Sequence, residues 1–305
     1  MGEQEQPRRA STVYRAAADA LPQRKHCQSL PGRKNLKTNG NFTRAYRIVL
    51  LAVHVLAAVV IAFLAPRSTE LRRQRMVRWW SAMLTRILQI RVQVQGVPPG
   101  LDTHNVMLVS NHVSWLDIYL LNSVRPARFV SKAELRQWPV IGWVAWKTGT
   151  FFINRAKRHD TARVNHEMSE ALSKGGCVAV FPEGTTSYGD TLLPFHASLF
   201  QPVIHSESKV WPVAMRYRHA DGSLNREAAY VGDTSFGESV KQILGQPEIH
   251  AELVFAPPIL SHGKTRRELA RLAEQAIAEA LNLIPSTEAS PEALPATESP
   301  ELAAI

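Results

Sequence analysis

Apolar residues fall along this chain in three rhythms. From Ile48 to Ala65 they are almost continuous, broken by His54. Eighteen residues of helix rise about 27 Å, close to the thickness of a bilayer's hydrocarbon core. Arg47 precedes the run and Pro66-Arg67 follows it, which favours a membrane-associated helix over a buried core helix. Its distance from the N-terminus, with no small-residue cleavage pattern after it, argues against a signal peptide. From Leu71 to Ile90 the rhythm becomes helical. Met76, Trp80, Met83, Leu84, Ile87 and Leu88 share one face, and Arg75, Arg78, Thr85 and Gln89 lie opposite or beside it. A basic amphipathic helix carrying a Trp79-Trp80 pair suits a membrane interface, with packing on a soluble core as the plainer reading. Basic residues flank Ile48–Ala65 on both sides, so the excess of positive charge on cytoplasmic loops does not choose an orientation. A hairpin of both helices that dips into the cytoplasmic leaflet avoids a misplaced basic flank and is the expected arrangement.

Beyond Arg91 the rhythm shortens. Arg91–Gly96 alternates and predicts a half-exposed strand. After Pro98-Pro99-Gly100, short apolar runs predict strands at 106–110, 127–131, 150–153, 177–181, 210–216 and 252–255. Helical periods predict helices at 115–123, 158–174 and 264–283. Strands alternating with helices predict an α/β sandwich. Residues 1–43 are polar, basic and aperiodic, and 285–305 are rich in Pro, Ser, Thr, Ala and Glu. Neither can bury enough apolar surface to fold alone. The expected organisation is a basic disordered tail at 1–43, a membrane-associated helical hairpin at 44–90, an α/β domain at 91–284 and an acidic disordered tail at 285–305.

Charge narrows the partners. Lys and Arg number 36 against 26 Asp and Glu, a formal charge of +10. Such an excess fits nucleic acid, an anionic membrane, or a phosphorylated or CoA-like substrate. No recognisable nucleic-acid module is present, and the membrane-length segment argues for lipid over nucleic acid. Two cysteines, Cys27 and Cys177, make neither a disulfide framework nor a zinc set, and they fit a reducing, cytoplasmic-side location.

Four stretches carry candidate chemistry. In the first, the run Val106–Val109 leads through Ser110-Asn111 into His112, with Asp117 five positions on. Histidine exchanges a proton near neutral pH, and a carboxylate on its far nitrogen fixes the tautomer. Ser114-x-x-Asp117 also has the spacing of a helix capping box, and on these residues alone that is the slightly better reading. The second stretch, Gly149 to Arg155, delivers an arginine at a strand end, able to grip a phosphate bidentately. The third, Val178 to Ser187, stops at Pro182-Glu183-Gly184. There Gly184 permits close backbone approach, and Glu183 could accept hydrogen bonds from a polyol. The fourth, Val210 to Met215, reads as a pocket wall. Singly, the second and third equally describe a surface arginine and a turn.

Together and in this order the four resemble the 1-acylglycerol-3-phosphate acyltransferase (lysophospholipid acyltransferase) family. The matching residues are His112 with Asp117, Phe152-Ile153-Asn154-Arg155, Phe181-Pro182-Glu183-Gly184-Thr185 and Pro212-Val213-Ala214. The hairpin matches that family's N-terminal two-helix membrane motif. The resemblance implies an acyltransferase-type mixed sheet flanked by helices. It implies an O-acyltransferase that moves a fatty acyl group from acyl-CoA or acyl-carrier protein to the free hydroxyl of a lysolipid, 1-acyl-glycerol-3-phosphate becoming phosphatidic acid. No bound cofactor or metal is implied. The implied location is an anionic membrane, at the cytoplasmic face of a bacterial-type inner membrane. His112, held by Asp117, would take the hydroxyl proton, and the alkoxide would attack the thioester without a covalent acyl-enzyme. Arg155 would hold the headgroup phosphate, and Lys132 matches a basic position that many members carry. Glu183, Gly184 and Thr185 would line the glycerol end of the acceptor.

Two departures matter. Where many members that use lysophosphatidic acid place an arginine, this chain has Thr186, and where they carry Phe-Lys-x-Gly it has Phe195-His196-Ala197-Ser198. Both remove cations that could hold a phosphate monoester. The departures point to an acceptor of lower negative charge, such as lyso-ornithine lipid. A serine hydrolase would need a Gly-x-Ser-x-Gly elbow, which the chain lacks. A metal enzyme would need further ligands beside His112 and Asp117. A non-catalytic membrane-binding protein would use the hairpin equally well, but it gives no reason for His112, Asp117, Arg155 and Glu183 to end strands in this order.

Overall fold

The computed structural model describes residues 38–64, 68–154 and 158–284. The tail expected at 285–305 lies outside them, as does the tail expected at 1–43 except for its last six residues. Those six already belong to the folded unit. Helix α1 runs from Asn41 to Leu64, and the Asn39 amide donates to the Leu244 and Gln246 carbonyls at 3.0 and 2.6 Å. Helix α2 (Glu70–Ile87) starts at Thr69, whose side chain accepts the Arg72 N–H.

One sheet organises the rest. Its strands are β1 (Ile90–Gly96), β2 (Val106–Ser110), β3 (Arg128–Lys132), β4 (Phe151–Ile153), β5 (Cys177–Val180), β6 (Lys209–Arg218), β7 (Ile249–Phe255) and β8 (Ile259–Leu260). The order is β1-β7-β6-β2-β5-β3-β4, with β8 beside the start of β6. All pairs are parallel except β6 with β7 and β6 with β8. This is the mixed sheet that the family resemblance implies. Pro212 falls on β6 between the stretch covered by β8 and the stretch covered by β7. Its missing N–H therefore breaks no ladder bond on that side.

The period-2 alternation of β2 feeds two cores. Val106 and Leu108 face α2, α3 (Leu116–Val124) and α7 (Phe236–Gly245), together with Leu84, Leu120, Met215 and Ile243. Met107 and Val109 face α5 (Arg158–Ser173) and α8 (Arg266–Leu281), with Met168, Leu172 and Ile277. Short helices α4 (Ile141–Lys147) and α6 (Gln201–Ser206) complete the layers. Three of these helices escape the sequence pattern. Helices α4 and α6 are too short to show a helical period, and α7 has glycines at Gly237 and Gly245. The sequence did signal α7, through Ser235-x-x-Glu238, which forms a complete capping box.

The two N-terminal helices differ from the expected hairpin in how much they bury. On α1, Arg47, His54, Ala58 and Ala62 turn inward while Val49, Val53, Leu56, Val60 and Phe63 are exposed. The inward face is held along its length. Arg47 donates to the Gln246 and Pro247 carbonyls at 2.9 and 3.2 Å. The Trp80 indole donates to the His54 carbonyl at 3.0 Å, and the two rings stack at 4.5 Å. On α2 the first half leaves Leu71 and Trp79 exposed. The second half, with Ser81, Leu84, Thr85 and Ile87, is buried in the domain.

Candidate active site

The turn between β2 and α3 is shaped by one carboxylate. Asp117, fully buried in the first turn of α3, accepts the Val113 and Ser114 N–H groups on Oδ2 at 2.7 and 2.9 Å. The same oxygen lies 2.7 Å from His112 Nδ1. Oδ1 accepts the Tyr217 hydroxyl at 2.5 Å. The two sequence readings of this motif thus converge on one group. Asp117 starts the helix and orients the imidazole, but Ser114 does not cap. Its hydroxyl is buried with no hydrogen-bond partner, and the expected capping box is absent. Because Asp117 can only accept, Nδ1 carries the proton and Nε2 keeps its lone pair. The His112 side chain is 20% exposed, so the ring is open to solvent.

Everything else around His112 is fixed. Parallel in-register pairing sets Val109 opposite Val180 and brings the carboxyl ends of β2 and β5 together. That is why the third motif meets the first. Phe181 stacks on the imidazole with ring centres 4.0 Å apart and planes 9° apart. The His112 N–H donates to Glu183 Oε1 at 2.6 Å, and its carbonyl accepts Ser187 N–H at 2.8 Å. The Asn111 amide both donates to and accepts from the backbone of Met215, at 2.9 and 2.7 Å. The Val113 carbonyl accepts Tyr230 N–H at 2.9 Å.

Glu183 differs from expectation. The sequence places it at the acceptor's glycerol end. In the structure it is 4% exposed, and its second oxygen accepts Leu193 N–H at 3.0 Å. It braces the peptide behind His112. Burial pushes its carboxyl up to about 7, opposed by the hydrogen bonds from Leu193 and His112, with Asp117 and Glu274 adding like charge. Gly184 has φ +77, which only glycine adopts without strain. Thr185 is exposed beside it, while the Thr186 hydroxyl donates to the Tyr230 carbonyl. Lys132 is exposed at the carboxyl end of β3, paired across to Ile153 on β4. Arg155, two residues past β4, lies outside the described residues. His196 is exposed. Two shallow grooves, of about 520 and 550 Å³, lie elsewhere, between α2, β1 and the end of α3, and neither includes a residue of the turn. Among the described residues no group of three or more His, Cys, Asp or Glu could hold a metal ion.

Sequence reasoning missed Tyr217 and Tyr230, and placed Ser187 in the third stretch without its bond to the His112 carbonyl. A signal existed for the tyrosine. Val213, Met215 and Tyr217 alternate onto one face, and a buried tyrosine hydroxyl requires a partner.

The acyltransferase family profile matches residues 90–216. The chain is 40% identical over 209 residues to the lyso-ornithine lipid O-acyltransferase of Pseudomonas aeruginosa, covering 68% of this chain and 79% of that protein. It is 41% identical over 143 residues to the 1-acyl-sn-glycerol-3-phosphate acyltransferase of Neisseria meningitidis, covering 47% of this chain and 56% of that protein. In fold it is similar to the crystal structure of the 1-acyl-sn-glycerophosphate (LPA) acyltransferase PlsC from Thermotoga maritima. The TM-score is 0.61 at 20% identity, over 79% of this chain and 94% of that one. The fold is thus that of the acyltransferase class. The chain belongs to the acyltransferase family, within the group of lysolipid O-acyltransferases.

Proposed function

We propose that the enzyme transfers a fatty acyl group from an acyl thioester, on CoA or acyl-carrier protein, to the free hydroxyl of lyso-ornithine lipid. The observation that carries the chemistry is the 2.7 Å contact between His112 Nδ1 and the buried Asp117 carboxylate. It leaves Nε2 basic at the exposed ring edge. Nε2 takes the proton of the acceptor hydroxyl as its oxygen attacks the thioester carbonyl carbon. The C–O bond forms, the tetrahedral oxyanion collapses, and the C–S bond breaks. The imidazolium then returns its proton to the departing thiolate. Asp117 favours the transient cation.

The acceptor follows from what surrounds the base. The Thr186 side chain is engaged by the Tyr230 carbonyl, and His196 replaces a lysine-type cation. Lys132 and Arg155 remain as cations for the headgroup side, with Thr185 near the glycerol-like end. Lysophosphatidic acid is the second reading, favoured by the 41% identity to the Neisseria enzyme.

The membrane seat supports a dip into one leaflet over a full span. Asn39, just before α1, and Arg47 on it bond the backbone at 244–247, His54 meets Trp80 of α2, and Phe63 meets Trp143 of α4. These contacts favour a helix that lies along the protein over one that leaves it to cross a bilayer. Its exposed apolar face instead lies on the lipid at the cytoplasmic side of a bacterial-type inner membrane, where thioester donors are made.

The test uses detergent-purified protein, a labelled acyl thioester and both acceptors side by side, with His112→Ala as blank. Acylation of lyso-ornithine lipid in a His112-dependent manner, with little on lysophosphatidic acid, is expected. Efficient use of lysophosphatidic acid at micromolar levels overturns the acceptor. Activity in the blank overturns the mechanism.

A further inference from the structure

We propose that the segment from Arg136 to Lys147 is a third lipid-contacting element, seated in the headgroup layer of an anionic bilayer beside α1. The inference rests on the membrane seat proposed above and extends it to a part of the α/β domain.

Residues 136–141, Arg-Gln-Trp-Pro-Val-Ile, are exposed without a break. Trp138, Val140 and Ile141 are 40%, 43% and 36% exposed, and Trp146 on α4 is 48% exposed. Consecutive exposed apolar residues of this kind are disfavoured in water unless a partner covers them. The exposure is built in. Val140 sits at φ +62 and ψ −58, and Ile141 N–H donates to the Pro139 carbonyl at 2.6 Å. A β-branched residue at the centre of so tight a turn is strained. The turn holds Val140 and Ile141 at the surface. Below it, a Cβ on Gly142 would meet the Arg136 and Leu135 carbonyl oxygens at 2.4 and 2.5 Å, so the loop folds closely onto the start of α4.

The chemistry at the surface is that of a bilayer interface. Lys147 Nζ lies 4.8 Å from the Trp146 ring centre and 6.0 Å from that of Trp143. The Arg136 guanidinium lies 6.0 Å from Trp146. Tryptophan with long basic side chains at one level matches the headgroup region, the rings at the acyl boundary and the cations among the phosphates. Arg136 and Lys147 are the only charged residues from 136 to 147, and counting from Lys132 the cations Lys132, Arg136 and Lys147 outnumber Glu134, so the charge suits an anionic surface. The surface is continuous with that of α1, since the Trp143 ring meets Phe63 at 5.9 Å. It is also joined to the catalytic turn. Trp138 meets Phe236 at 5.6 Å, and Phe236 meets Trp115 at 5.3 Å, two residues before Asp117. A bilayer touching Trp138 is therefore linked through Phe236 and Trp115 to the turn that carries His112.

The test is depth-dependent quenching in the full chain. Cys177 is buried with its thiol pushed up to about 12, so replacing Cys27 by serine leaves a background with no reactive thiol. Trp138→Cys and Ile141→Cys are labelled with an environment-sensitive dye and mixed with vesicles of about 30 mol% anionic phospholipid, with and without bromine on the acyl chains. Val53→Cys on the exposed face of α1 is the membrane control, and Arg267→Cys on α8, in the opposite layer, is the solvent control. The expected result is a blue shift and bromine quenching at 138 and 141 of at least half the extent seen at 53, with no change at 267. Quenching at 53 alone overturns the inference and leaves the membrane seat intact. Quenching at none overturns both. A blue shift at 138 and 141 that grows with protein concentration in the absence of vesicles assigns the patch to a second copy of the chain and also overturns the inference.

Discussion

Glu183→Gln separates two contributions that the native carboxyl combines. The native group is ordinarily near 4.5 and stands at about 7 in the folded protein, chiefly through burial. At about 1.4 kcal/mol per tenfold change in proton affinity, the difference is about 3 kcal/mol. The sign follows from the direction. The folded carboxyl keeps its proton longer than the unfolded one. Stability is therefore greatest below about 4.5, declines as pH rises towards about 7, and is flat above that. Glutamine cannot ionise, so this decline is absent from the variant. It has a cost of its own, because its NH₂ faces one of the two backbone donors that Glu183 accepts, His112 N–H and Leu193 N–H. Leaving a buried N–H unmatched costs about 1–3 kcal/mol at every pH. The variant should be the less stable protein at pH 5 and should match or exceed the native one at pH 8. For a domain of this size a relative shift of about 3 kcal/mol corresponds to about 6–12 °C in Tm. Thermal unfolding of both proteins in detergent between pH 4.5 and 8.5 measures it. Two parallel Tm curves would refute the account of a buried, proton-retaining Glu183.

His112→Ala should lower turnover by about 10² to 10⁴ while circular dichroism stays native, and native-like turnover would remove the histidine from the mechanism. Tyr217→Phe strips Asp117 Oδ1 of its donor. It should cost about 1–3 kcal/mol of stability and lower kcat more than it changes either KM, with unchanged Tm and kcat as the contrary result. Thr186→Arg combined with His196→Lys should raise kcat/KM for lysophosphatidic acid relative to lyso-ornithine lipid, and an unmoved ratio would show that these positions do not select the acceptor.

The fold was largely legible because its strands are buried and short. Val106–Ser110, Cys177–Val180 and the core of β6 read directly as apolar runs. Helix α4 was not legible, since its seven residues, four of them β-branched or tryptophan (Ile141, Trp143, Val144 and Trp146), span too few turns to show a period. The pairing of His112 with Asp117 was legible only from the order of the four motifs, since on its own spacing the capping-box reading was slightly better, and the direction in which Glu183 points was not legible at all. A motif fixes which residues follow a strand, whereas the rotation of the turn depends on backbone donors from Leu193 and His112 that are remote from it in sequence. Tyr217 reaches Asp117 across 100 positions, and that contact depends on sheet register.

The double duty of Asp117 bears on how this fold can diverge. A single carboxylate closes the turn, starts α3 and orients the His112 imidazole. Substitution at 117 therefore loses shape and chemistry together, and deep mutational scanning should score the site as intolerant in abundance as well as in activity. His112 carries no such structural burden through its ring. A lineage that abandoned catalysis while keeping the scaffold would shed the histidine first and retain the aspartate, leaving an orphaned acid as the mark of a retired enzyme.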